Sequence, residues 1–191
     1  MVHNSKLSRV FVALAASVLA APVLADTKLT FSTDLTGYQE TPLTLNSAGS
    51  GEFAAKVSKD GTAIAYRLAY RDLGTAVTQA HIHFGRPGLS GMIVLFLCTN
   101  LTPPAGVPTP QACPASPASP ASATVTGSLT AADVIPRPDQ GIEGGAAGFA
   151  EIVKALRAGA AYANVHTALR PGGEIRGALG KIQDDSEDDN D

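Results

Sequence analysis

Residues 51–70, GEFAAKVSKDGTAIAYRLAY, contain the clearest secondary-structure pattern in the sequence. Apolar and polar residues alternate over residues 51–57 and again over residues 62–70, as they do in strands with one buried face. Between the two halves stands SKDG, residues 58–61. Because Asp-Gly readily adopts the positive φ angles of tight hairpin turns, this stretch predicts a β-hairpin.

Short strand-like segments recur on both sides of this hairpin, at residues 29–33, 77–84, 92–98, 125–129, 162–167 and 174–179. Only residues 148–156 place apolar residues at helical spacing, and a glycine follows shortly after them, as helix ends favour. About eight short strands and one short helix predict an all-β fold, either an antiparallel β-sandwich or a Greek-key barrel.

A proline-rich segment, residues 101–123, interrupts this pattern with seven prolines among Ala, Ser and Thr. Proline lacks the N–H that a strand ladder needs, so we expect a long surface loop. Cys98 and Cys113 are predicted to form a disulfide if the protein is exported, the alternative being a pair of thiolate metal ligands. Closing a loop of about 15 residues would stabilise the fold by roughly 3 kcal/mol.

Both ends of the chain carry patterns of their own. Lys6 and Arg9 precede an apolar run of about 12 residues, which is too short to span a bilayer. This run predicts a signal peptide over residues 1–25, cleaved after Ala25, and therefore a secreted or periplasmic protein; the alternatives are an uncleaved amphipathic anchor or a short buried helix. Residues 26–180 then form the domain. Residues 181–191 are predicted to be a disordered acidic tail.

The charge balance argues against one class of partner. The formal net charge is −3, and cleavage after Ala25 would remove Lys6 and Arg9 and leave −5. Nucleic-acid binding depends on clustered Lys and Arg, and no such cluster occurs in the sequence. Membrane-surface binding is disfavoured for the same reason, and no membrane span is expected. An extracellular protein or matrix partner stays open, as does the oligomeric state.

Three histidines that follow the predicted signal peptide all lie in two predicted strands. His81 and His83 stand two residues apart in AHIHF, residues 80–84, so they share the face opposite the apolar residues of that strand. His166 lies in NVHT, residues 164–167, and the three imidazoles are predicted to point away from the core. Because neutral imidazole suits copper and zinc, they are candidate ligands of one ion if their strands are neighbours. Alternatively, they hydrogen-bond loops to the sheet surface.

Four more polar residues are candidates for supporting this site. Glu174 and Arg176 have equal parity in their predicted strand, which favours an internal salt bridge between them. The alternative for these two residues is contact with a ligand. If Arg176 is partly buried, it could hold Glu40 or Glu174 in a bidentate pair, and Asn164 is expected to fix a loop by hydrogen bonding. The sequence contains no nucleophile-elbow motif and no supported Ser-His-Asp or Cys-His arrangement, so we predict no catalytic residue.

Five segments together resemble the CHRD domain, a family named for chordin, an extracellular antagonist of bone morphogenetic proteins. They are GYQETP, AHIHFG, GMIV, AYANVHT and PGGEIRG, at residues 37–42, 80–85, 91–94, 161–167 and 171–177. The resemblance covers about residues 28–179 and implies an all-β extracellular module. It does not carry over growth-factor binding, since that is associated with cysteine-rich modules and this chain has two cysteines. The long proline-rich insertion also departs from the family pattern.

Three functions are consistent with these patterns, and the third is a surface-adhesion or matrix module whose proline-rich loop and acidic tail contact partners. The first is a non-enzymatic exported binding or structural module, with a copper or zinc ion on the three histidines. The second is an enzyme with a single copper or zinc ion and superoxide-dismutase-like or hydrolytic chemistry, prompted by a looser likeness of the His-x-His strand to copper–zinc superoxide dismutase. That likeness is analogy alone. Three histidines are too few for the dismutase's two metals unless acids replace several ligands.

Overall fold

The computed structural model describes residues 29–115 and 121–180, together with Met1. Apart from Met1, the predicted signal peptide and the predicted acidic tail therefore lie outside the described residues. The described chain forms eight strands and one α-helix, in the order β1 (Thr30–Thr36), β2 (Ser50–Val57), β3 (Ala63–Leu73), β4 (Val77–Phe84), β5 (Met92–Thr99), β6 (Ala121–Thr130), α1 (Gly145–Arg157), β7 (Ala161–Thr167) and β8 (Ile175–Leu179).

The eight strands form one antiparallel sheet that curls into a nearly closed barrel. Their spatial order is β5-β4-β7-β8-β1-β2-β3-β6, and every adjacent pair is antiparallel. The two edge strands, β5 and β6, contact each other across a seam. The prediction of an all-β antiparallel fold with one helix is thereby confirmed, in its barrel form.

Strands β2 and β3 form the β-hairpin that is predicted over residues 51–70. Val57 pairs with Ile64, and the Gly61 N–H closes the turn by donating to the Ser58 carbonyl at 2.9 Å. Gly61 has a φ of 72°, a conformation that glycine adopts without steric cost. Ser58 further donates to the Asp60 carboxylate at 2.6 Å, so the polar turn residues satisfy one another.

The core occupies one face of the sheet. Alternate strand residues such as Phe31, Phe53 and Ile64 are at most 1% exposed, and α1 adds Phe149 and Ile152 to the same cluster. Each such side chain contributes roughly 1.5–3 kcal/mol by leaving water. The alternation that places these residues inside also turns the intervening side chains of β4, β7 and β8 to the opposite face.

The proline-rich segment is shorter than predicted, because β6 begins at Ala121, directly after Pro120. No proline lies within β6, so Ala121 and Ala123 pair with Leu73 and Tyr70 at the end of β3. The predicted disulfide between Cys98 and Cys113 is present. No α-helix within the described residues is long and apolar enough to cross a membrane.

Candidate metal centre

Strand pairing brings the three candidate ligands together. In the register of β4 and β7, Gln79 lies opposite His166 and His81 lies opposite Asn164, so all three histidines share one face. The ring centroid of His81 is 4.6 Å from that of His83 and 4.5 Å from that of His166. One nitrogen from each ring lies within 4.8 Å of the other two. The condition that the sequence left open, that the two strands be neighbours, is met.

The three rings point away from the core cluster, as the alternation predicts, but they are not on the surface. His81 is fully buried, and His83 and His166 are 9% and 7% exposed. Loops cover them, since His83 contacts Gly91 in the loop between β4 and β5 and His166 contacts Pro171 in the loop between β7 and β8. The candidate site is therefore enclosed by protein.

The hydrogen bonds fix which ring nitrogens remain available. His83 Nδ1 lies 2.8 Å from the Gly91 carbonyl oxygen, and His166 Nδ1 lies 2.9 Å from the Pro171 carbonyl oxygen. A carbonyl only accepts, so each Nδ1 carries the proton and each Nε2 keeps a lone pair. Both Nε2 atoms, and both nitrogens of His81, are buried without a hydrogen-bond partner.

Burial keeps these rings neutral. It lowers the pKa of His83 to about 4 and lowers the pKa of His81 and His166 as well. The neighbouring imidazoles add to the effect at His81, whereas the Gly91 and Pro171 carbonyls partly oppose it at the other two rings. Neutral imidazoles with free lone pairs are the form in which histidine binds a metal ion.

A stack of aromatic and cationic groups supports His83. The Tyr162 ring lies parallel to the His83 ring, with centroids 4.5 Å apart. The Arg176 guanidinium lies over the same Tyr162 ring, with its Cζ atom 3.5 Å from the centroid of that ring. Arg176 donates to Thr41 Oγ1 and, at 2.7 Å, to the Leu89 carbonyl. These bonds tie two covering loops to β8, and Tyr162 accepts from the Gly91 N–H at 3.0 Å.

Glu40 and Asn164 form a second buried polar pair. Asn164 Nδ2 lies 3.4 Å from Glu40 Oε2, while Glu40 Oε1 and Asn164 Oδ1 have no partner. Burial raises the pKa of Glu40 to about 7, against the opposing influence of Arg176. Gly173 is required here, because a Cβ on it would lie 2.7 Å from Glu40 Oε1.

The expected ion pairs of Arg176 are not formed. Within the described part of the chain, neither Glu174 nor Glu40 makes a salt bridge to it. Glu174 precedes β8, which begins at Ile175, so strand parity does not extend to it. Its carboxylate accepts instead from Ser47 Oγ, the Gly74 N–H and Thr167 Oγ1, at 2.8, 2.9 and 2.6 Å. Glu174 thus joins the loops between β1 and β2 and between β3 and β4 to the end of β7.

The comparison with protein families supplies the assignment. The CHRD domain model matches residues 31–179. This chain belongs to the CHRD family. The match runs from β1 to the last residue of β8, so it includes every strand and the three histidines. Neither a curated protein nor a solved structure matches the chain. Family membership and the disulfide together indicate an extracellular or periplasmic CHRD protein.

Sequence reasoning missed several groups around the histidines. Tyr162 shares their strand parity, which was a usable signal, but its stacking between His83 and Arg176 depends on long-range pairing. Phe96, whose ring centroid is 5.4 Å from that of His81, lies in an apolar strand that carries no polar signal. Gly91 bonds to His83 through its backbone carbonyl, which every residue has, so the sequence does not predict this hydrogen bond.

Proposed function

We propose that this CHRD protein is an exported, non-enzymatic binding or structural module that holds one copper or zinc ion through His81, His83 and His166. One observation carries the proposal: three buried imidazoles face one another with ring nitrogens that have no hydrogen-bond partner. A buried polar atom without a partner costs about 1–3 kcal/mol. A shared ion would bind one of these nitrogens from each of the three rings at once.

The protein around the rings supports the same function. Metal-binding histidines usually donate their other N–H to a carbonyl or carboxylate, which fixes the tautomer and the ring orientation. His83 and His166 do so through Gly91 and Pro171. The alternative that the histidines only hydrogen-bond loops to the sheet explains the Nδ1 atoms of His83 and His166. It does not explain why the Nε2 atoms of these rings and both nitrogens of His81 are buried without a partner.

Metal analysis of the exported protein, purified without chelators or a histidine tag, tests the proposal. We expect near-stoichiometric copper or zinc in the wild type and none in a His81→Ala/His83→Ala variant, because the remaining imidazole alone binds either metal weakly. The control is Gln39→Ala, on an exposed residue that does not touch the rings. Circular dichroism confirms that each variant is folded. A metal-free wild type that takes up neither ion at micromolar concentration would contradict the proposal.

A single-metal enzyme is the second candidate, and it rests on the number of ligands. Three protein ligands leave a fourth tetrahedral position, as in catalytic zinc sites. A metal-dependent superoxide, peroxide or hydrolytic turnover that is lost in His166→Ala would favour the enzyme. Unchanged rates in a folded His166→Ala variant would remove it.

A further inference from the structure

The charges around the proposed site restrict which ion it takes. Its three ligands are neutral, and two guanidinium groups lie on neighbouring elements, namely Arg176 next to Tyr162 and Arg137 next to Ile93, the residue opposite His83 in β5. Arg176 reaches the site through the Tyr162 ring that stacks on His83. Arg137 is held at the edge of β5, where its Nε donates to the Ile93 carbonyl at 2.7 Å.

Among the described residues, the cluster of candidate ligands consists of the three histidines and contains no carboxylate. Glu40 is the carboxyl group that couples electrostatically to Arg176 and Tyr162. When Glu40 is ionised, its single negative charge offsets one of the two guanidinium groups. No negative charge of Glu40 then remains to offset the charge of a bound ion. The Glu174 carboxylate bonds to Thr167, which points to the face opposite His166.

A buried ion in such a place is selected by its own charge. Repulsion from the two cations doubles when the charge of the ion doubles, and the desolvation penalty rises more steeply still. Cu⁺ and Zn²⁺ both have a filled d shell, so neither gains ligand-field energy from a particular geometry. They differ chiefly in charge and softness, and imidazole suits both metals.

We infer that His81, His83 and His166 form a three-coordinate site that prefers Cu⁺ over Zn²⁺ and Cu²⁺, and that Arg176 and Arg137 set this preference. The inference rests on the proposed metal-binding function and names its ion and oxidation state. Arg176 and Arg137 are positioning residues, since they act on the ion through His83 and its stacked neighbour without contacting it.

Anaerobic competition titrations of the disulfide-intact protein test this preference. Cu⁺, supplied as its acetonitrile complex, competes against a Cu⁺-specific chelator dye, and Zn²⁺ and Cu²⁺ are each titrated in competition with a dye for that ion. We expect the wild type to bind Cu⁺ more tightly than Zn²⁺. Ag⁺, a redox-inert monovalent ion, should bind competitively with Cu⁺. The His81→Ala/His83→Ala variant should lose the binding of every one of these ions.

The arginine variants separate charge from packing. Arg137→Gln and Arg176→Gln should each lower the ratio of Cu⁺ to Zn²⁺ affinity about tenfold, because each removes one repulsive charge. Arg71→Gln is the control, since Arg71 is 63% exposed and pairs with Asp72. If Arg176→Gln fails to fold, Arg137→Gln carries the test, because its side chain makes fewer contacts with the covering loops.

The outcomes distinguish this inference from the proposed function. A wild type that binds Zn²⁺ or Cu²⁺ more tightly than Cu⁺ through the same histidines overturns the inference and leaves the metal site standing. Folded arginine variants with an unchanged affinity ratio overturn the role of the two cations. A wild type that binds none of these ions overturns both.

Discussion

Glu40 is buried at 5% exposure beside Asn164, with Arg176 acting on it from β8. Because burial raises its pKa from 4.5 to about 7, the folded protein holds a proton that the unfolded chain releases between these two pH values. A group whose pKa is raised in this way makes folding less favourable as pH rises. This loss of folding stability is absent below pH 4.5 and reaches its full size above pH 7.

A Glu40→Gln variant isolates this effect, because glutamine resembles the protonated acid and does not titrate. We expect the variant to gain about 3 kcal/mol of unfolding free energy relative to wild type as pH rises from 4.5 to 7. Urea unfolding of metal-free protein across this range measures the difference. The three histidines titrate in both proteins, so their contribution cancels.

Glu52→Gln is the matched control for that series, since Glu52 is an exposed carboxyl group on β2. This variant measures what the loss of an exposed carboxyl group does to stability at each pH. If the difference in unfolding free energy between Glu40→Gln and wild type does not change with pH, the raised pKa of Glu40 is contradicted.

At the scale of elements, the edge strands β5 and β6 are bridged by the proline-rich segment. Its Gln111 donates from Nε2 to Tyr66 Oη at 2.6 Å, to the Thr126 carbonyl at 3.0 Å and to the Leu97 carbonyl at 3.3 Å. Leu97 belongs to β5 and Thr126 to β6. Unpaired strand edges invite pairing with other chains, so one side chain here protects the seam from both sides.

We expect Gln111→Ala to lower the free energy of unfolding by about 2 kcal/mol, since it removes the donor of three hydrogen bonds at the seam and each such bond contributes about 0.5–1.5 kcal/mol. Chemical denaturation of the disulfide-intact protein measures the loss. Thr102→Ala, an exposed substitution in the same segment, should change stability by less than about 0.5 kcal/mol. Equal losses in the two variants would show that the segment does not hold the seam.

The difference between what the sequence predicts and what it misses lies at this scale. Alternation and the Asp-Gly turn predict the β2–β3 hairpin, because those signals are local. His81 and His83 are placed on one face by the same rule. The pairing of β4 with β7 joins residues about 80 positions apart, which periodicity does not encode. Gln111 lies in a segment without periodicity, so nothing marked it as the bridge across the seam.

Glu174 shows the opposite error, in which a local rule was extended too far. Its parity with Arg176 predicted a salt bridge, but the chain is not yet a strand at that residue. The positive φ of 124° at Gly173 turns the backbone just before β8, so the Glu174 side chain reaches Thr167 and the Gly74 N–H instead. Strand periodicity is reliable only inside a strand whose ends are known.

At the scale of the whole molecule, the candidate metal centre and the seam occupy different parts of one barrel. The histidines lie on β4 and β7, next to the covering loops, and Gln111 bridges β5 and β6. Phe96 is a direct link between them, because it contacts His81 and also lines a cavity of about 270 Å³ at the seam together with Gln111.

This arrangement predicts that metal binding and seam closure stabilise the barrel independently. A ligand that binds only the folded state adds about 2.7 kcal/mol at a hundredfold excess over its Kd, and this would raise Tm by roughly 5–11 °C in a domain of this size. Effects at separated sites usually add within about 0.5 kcal/mol. We therefore expect Cu⁺ to produce the same gain in Gln111→Ala as in wild type, and none in His81→Ala/His83→Ala. Anaerobic denaturation with and without the ion measures each gain. If the gain in Gln111→Ala were much smaller, Phe96 would transmit the state of the seam to His81, and the site and the seam would form one coupled unit.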